Sequence, residues 1–190
     1  LLARLRLERL LSILGLDPQL TDAVIDWIDA DDIVQGTRGA EVAVYAGASP
    51  PYRPANAPFV SPSELRLVSG FDAESVALLL PYVSALPGRT DVNVNTAPAE
   101  VLQALVGNTS ASVAQNFIAT RQREPLTGTD QLVETSLFSG SVVELDGLSV
   151  ASRWFKLEAR VTLPRATLVH HALIFRAEES AATQRRWTTP

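Results

Sequence analysis

From Trp154 to Leu163 apolar and polar residues alternate without a break. Phe155, Leu157, Ala159, Val161 and Leu163 fall on one side, and Trp154, Lys156, Glu158, Arg160 and Thr162 on the other. That period of two is the signature of a strand that buries one face. Pro164-Arg165 turns the chain and Thr167 to Ala177 gives a second strand, so the pair forms a β-hairpin. A third strand is expected over Val142 to Val150. A small antiparallel sheet with one apolar face needs a cover. The chain before about residue 140 has helical spacing, which makes the whole α+β.

Leu7, Leu10, Leu11 and Leu14 form the apolar stripe of a first helix that stops at Gly15, and this helix is the expected cover for the sheet. Asp17-Pro18 reads as the start of a second helix with Leu20, Val24, Trp27 and Ile28 inward, which puts Asp26 and Asp29 toward its exposed side. Ser61-Pro62-Ser63-Glu64 is a capping box that opens a short helix, and another helix runs from Asp72 to Leu80. Two more follow, one with Val101, Leu102, Leu105 and Val106 inward and closed by Gly107, the other from about Ser112 to Gln122, and Thr129 to Leu132 opens a further turn. The division is 1–14 as the end of a scaffold helix, 15–140 as an inserted helical domain, and 141–178 as the sheet. Residues 179–190 have no periodicity and are expected to be a mobile tail.

The helix pair around Gly107 looks like a helix-hairpin-helix unit, the module that grips nucleic-acid backbones. Its turn, Gly107-Asn108-Thr109-Ser110, has one glycine and no basic residue, and Arg121 and Arg123 lie a turn or more away. The chain carries a net charge of −5, so the phosphate neutralisation that drives such binding is missing. Nucleic-acid binding is therefore the alternative reading rather than the leading one. With no cysteine, thiol catalysis and thiolate zinc sites are excluded. His170 and His171, neighbours on a strand, point to opposite faces and cannot chelate together. Nothing supplies nucleophile, base and orienter at once, so no enzyme is expected.

The acidic stretch is the remaining chemistry. Asp26, Asp29, Asp31 and Asp32 crowd the end of the second helix, where negative charge opposes the helix dipole. Either these carboxylates face water or a hard cation offsets them, and short Asp-x-Asp spacings suit calcium, with Glu41 as a further donor. The offsets do not match an EF-hand.

Asp26-Trp27-Ile28-Asp29-Ala30-Asp31, Gly39-Ala40-Glu41 with Tyr45, Pro51-Tyr52-Arg53-Pro54-Ala55-Asn56, Ser63-Glu64-Leu65-Arg66, Gly70 and Asn93-Val94-Asn95-Thr96-Ala97 together resemble the K-type minor pseudopilin of bacterial type II secretion systems. The resemblance runs over roughly residues 15 to 180. It implies a pilin-like scaffold, an N-terminal helix on a small antiparallel sheet, with a large helical domain inserted. It also implies a periplasmic, non-catalytic component at the pseudopilus tip that helps initiate and cap the filament. The implied partners are the I- and J-type minor pseudopilins, with secreted cargo a further candidate and no nucleic acid. The family's precursor is anchored in the inner membrane by an N-terminal hydrophobic helix, and a chain without methionine that begins at Leu1 fits removal of such a segment. Calcium is implied in the helical domain, with Asp29, Asp31, Asp32 and Glu41 as the matching ligands. Where the family often has a second acidic residue after Glu41, this chain has Val42, which leaves the shell one carboxylate short. Arg4, Arg6 and Arg9 of the first helix, with the sheet edge, are the expected partner contacts.

Overall fold

The computed structural model describes residues 1–138, 145–178 and 180–189. Helix α1 spans Leu2–Ile13, α2 Leu20–Ile28, α3 Val42–Ala46, α4 Ala73–Leu79, α5 Ala99–Val106 and α6 Ala111–Arg123. Strands are β1 (Val92–Asn93), β2 (Leu148–Ser149), β3 (Trp154–Leu163), β4 (Ala166–Arg176) and β5 (Ala181–Thr189).

Two apolar cores organise the helical body. The first gathers Leu10 and Leu11 of α1, Leu20, Ala23, Val24 and Trp27 of α2, Tyr45 of α3, and Leu65, Val68, Val76 and Leu79. The second holds Val94, Leu102, Ala114, Phe117, Leu132, Leu137, Phe138 and Leu148. Each fully buried leucine here contributes roughly 1.5–3 kcal/mol by leaving water. Local chemistry fixes the short elements between. The Ser61–Glu64 capping box is present and opens a 3-10 helix over Pro62–Leu67, and Asp72 caps α4 by accepting from Ser75 N–H at 2.8 Å.

The second core is tied to the chain beyond it by the Asn93-Val94-Asn95 stretch. Asn95 donates to the carbonyls of Leu126 and Val150 and accepts from Leu126 N–H, while Asn93 donates to Ser152 Oγ. Arg121 is buried and donates to the carbonyls of Val94 and Ala97, with its guanidinium over the Phe117 ring at 5.6 Å.

Several expectations are corrected. Among the described residues, helix α1 packs mainly on α5 and α2 inside the helical body rather than on the sheet it was expected to cover. An amphipathic stripe says that a helix has a buried side, not which neighbour buries it. Its partly exposed arginines also bond within the chain: Arg4 with Glu8 and Asp22, Arg6 with the Asp146 carbonyl, and Arg9 with that of Ala104. Of the strand expected over Val142 to Val150, residues 142–144 lie outside the described residues, and the described strand, β2, pairs in parallel with β1 (Val92↔Leu148) rather than with the hairpin. Leu145, Leu148 and Val150 pack on the second core, so residues 145–150 belong with the helical body rather than with the sheet.

Strands β3, β4 and β5 form an antiparallel sheet in that order, with Phe155↔Ile174 and Val161↔Leu168 among the first pairs. The stretch expected as a mobile tail is β5, whose Trp187 pairs with His171 in register and stacks on its ring at 5.1 Å. An edge strand needs no apolar alternation, and Gln184, Arg185 and Arg186 hid this one. Arg185 donates to the Val60 carbonyl and so ties the sheet to the helical body. Phe155, Leu157, Val161, Leu163 and Leu168 are exposed, which leaves the apolar face of the sheet open.

Candidate metal centre

Helix α2 carries two acids on its buried side. Asp22 accepts from the N–H groups of Thr37, at 2.9 Å, and Arg38, at 3.2 Å, and pairs with Arg4. One turn later Asp26, fully buried, accepts from Gln35 N–H on both oxygens. The expected exposure of Asp26 is thus reversed: its i,i+4 pairing with Asp22 puts both carboxylates against the returning loop. Together they supply acceptors for a loop that has no regular structure of its own. Close approach demands glycine there. A Cβ at Gly36, where φ is +53°, would overlap the Asp22 carboxylate, and one at Gly39 would overlap the Gln35 backbone and Asp26.

The loop held in this way delivers Glu41 to the end of α2. Glu41 is the N-cap residue of α3, yet its side chain makes no capping bond. It turns instead toward Asp29 and Asp31, and one carboxylate oxygen from each of the three lies within 4.8 Å of the others. Asp31 also accepts from Ile33 N–H at 2.8 Å, which bends the chain there. Glu41 is 5% exposed and neither of its carboxylate oxygens has a hydrogen-bond partner, and Asp29 Oδ1 is likewise buried and unpaired.

Burial first, then the charge of Asp31, raises the Asp29 pKa, and burial followed by Asp26, Asp29, Asp32 and Asp31 raises that of Glu41. Leaving buried carboxylate oxygens unpaired is costly unless something takes the place of water. An all-oxygen donor set suits a hard divalent cation. Two oxygens on one calcium ion are separated by at most roughly 4.6–5.2 Å, twice the metal–oxygen distance, so the observed spread fits. Of the four expected ligands, Asp29, Asp31 and Glu41 are brought together. Asp32 is not in the cluster and lines an adjoining cleft.

The helix pair α5–α6 has the expected hairpin form, but Arg121 is spent on backbone carbonyls and Arg9 covers the end of α5. Neither guanidinium is free to meet a phosphate. His171 is buried against Trp187, whereas His170 accompanies Thr188 at 3.2 Å, so the two do separate. Among the described residues no helix is long and apolar enough to cross a membrane.

Two family models, both described as type II secretion system protein K, match residues 2–88 and 92–151. A type II secretion system protein K from Pseudomonas aeruginosa is 37% identical over 160 residues, covering 82% of this chain and 47% of the relative. The protein of that name from Dickeya chrysanthemi is 29% identical over 191 residues, covering 95% and 52%. The chain thus spans about half the length of the curated relatives it matches. Among solved structures, a chain of the GspK-GspI-GspJ complex from the enterotoxigenic Escherichia coli type 2 secretion system superposes with a TM-score of 0.85 at 28% identity, covering 99% of this chain and 70% of that one.

Proposed function

Because this chain belongs to the family of type II secretion system protein K, we propose that it is the globular part of a minor pseudopilin that helps initiate and cap the pseudopilus. Its partners in this reading are the I- and J-type minor pseudopilins, and assembly takes place in the periplasm. The observation that carries the reading is the superposition along 99% of the chain on a protein solved together with GspI and GspJ. The open apolar face of the sheet supports it, since a pilin-like scaffold packs a helix on such a face and an apolar patch of this kind marks a contact surface. The role is structural, and the Asp29, Asp31 and Glu41 carboxylates serve it by holding calcium. Bound there, calcium supplies positive charge that offsets three crowded carboxylates and fixes the loop between α2 and α3.

Size-exclusion chromatography with light scattering on this chain mixed with soluble I- and J-type pseudopilins, with calcium or chelator, tests both parts. Co-elution as a one-to-one-to-one complex is expected. Failure to associate in either condition overturns the tip role, and calcium binding unaltered by loss of Glu41 overturns the metal assignment.

A further inference from the structure

The loop that delivers Glu41 is held by α2 at two points one turn apart, and one of these grips reaches back to the first helix. Asp22 is buried, and its Oδ2 accepts from the N–H groups of Thr37 and Arg38. Its Oδ1 takes the guanidinium of Arg4, which also holds Glu8 one turn along α1 at 2.9 Å. One carboxylate thus joins α1 to the loop, three residues before Glu41. Gly36 lies so close that a Cβ there would overlap the Asp22 carboxylate, so a turn of Asp22 moves the loop backbone with it. Helix α1 is seated in its turn by Leu10 and Leu11 in the first core, and by Arg9 on the Ala104 carbonyl of α5.

We propose that the Arg4–Asp22 pair couples the cation site to α1: Asp22 is a positioning residue for Glu41, and the seat of α1 sets how tightly the cation is held. The proposal rests on the calcium reading above. A buried carboxylate keeps its place when its oxygens are bonded and its charge is met. Without Arg4, Oδ1 loses that guanidinium while Asp26 stands one turn away with like charge, so the grip on Thr37 and Arg38 slackens. Glu41 then meets Asp29 and Asp31 less often in the arrangement a cation requires. Linkage makes the coupling reciprocal: a cation that binds better when α1 is seated also seats α1 when it binds. The sign of the effect separates positioning from bulk charge. As a charge alone Arg4 repels a divalent cation, and its removal would tighten calcium binding. As the anchor of Asp22, its removal loosens it.

The test reads calcium affinity by equilibrium dialysis for the unaltered chain, Arg4→Met, Glu8→Gln, Asp22→Asn and the double variant of Arg4→Met with Asp22→Asn. Arg4→Met should weaken calcium about fivefold or more, the lower end of couplings between linked sites. Glu8→Gln takes the other carboxylate from Arg4 and should leave the affinity within about twofold. The losses from Arg4→Met and Asp22→Asn should not add in the double variant. In the unaltered chain, amide exchange across residues 2–13 should slow in calcium by more than that of α6. Equal or tighter calcium binding by Arg4→Met, additive losses, or α1 exchange that calcium leaves unchanged overturns the coupling and leaves the calcium reading standing. Failure of calcium to bind the unaltered chain removes the calcium reading and the coupling with it.

Discussion

The Asp26 carboxylate takes the Gln35 N–H on both oxygens, at 3.1 and 3.2 Å, from a position with no solvent exposure. A side chain from the end of one helix thereby stands in for the secondary structure that the following loop lacks. Asp26→Ala leaves the Gln35 donor, and the Ala40 N–H that also bears on Asp26, without an acceptor. A loss of about 1–3 kcal/mol per orphaned group is expected in urea unfolding. Calcium affinity should fall too, since the loop that carries Glu41 is released.

Gly39→Ala pushes a methyl group into the Gln35 backbone and the Asp26 carboxylate, and neither partner has room to retreat. It should destabilise by about 1–3 kcal/mol. Gly88→Ala, where nothing lies within 4 Å of the added carbon, should be near neutral in the same unfolding assay.

Glu41→Gln removes a buried charge that has no hydrogen-bond partner, so the metal-free protein should melt higher than the wild type. The order reverses in calcium. At a hundredfold excess over Kd the wild type gains about 2.7 kcal/mol by mass action, and the variant should gain almost nothing. Differential scanning fluorimetry with calcium or chelator reads both shifts.

Arg121→Met keeps the side chain's bulk over Phe117 but strands the carbonyls of Val94 and Ala97. Each stranded group costs about 1–3 kcal/mol. Because the same stretch anchors Leu126 and Val150 through Asn95, amide exchange should rise across residues 92–98 and 148–150 before it rises in α2.

Asp72 has its pKa held below the ordinary 3.8, chiefly by Ser75 N–H and then by the Ser75 hydroxyl. Its cap therefore contributes fully above pH 3.8 and is lost as pH falls through the lower folded value. Carboxyl NMR titration should find Asp72 below 3.8, and Asp72→Asn should flatten that part of the acid-unfolding curve.

What could be read from sequence was whatever is decided within a few residues. Ser61 with Glu64, and Asp72 three places before Ser75, announce helix starts because the bonds that make them are local. The β3–β4 hairpin shows itself by alternation. The carboxylate cluster was half legible: Asp29, Asp31 and Glu41 were named together, but not the means by which residues ten apart in sequence meet. That means is Asp22, which was not singled out, and Asp26, which was placed on the exposed side; α2 is buried nearly all round, so its polar side faces a loop rather than water. The packing of α1 on α5 was not readable at all, since its partner lies far along the chain and many amphipathic faces would suit it.

That last separation has a temporal side. Arg9 and the Ala104 carbonyl it meets are 95 residues apart. At about 5–20 residues per second of synthesis, α1 emerges from the ribosome roughly 5–20 s before α5 exists. Through that interval Leu10 and Leu11 have only the early helices to shelter them, while a turn of helix or a hairpin forms within microseconds. The helical body thus closes only when a late part of the chain meets an early one.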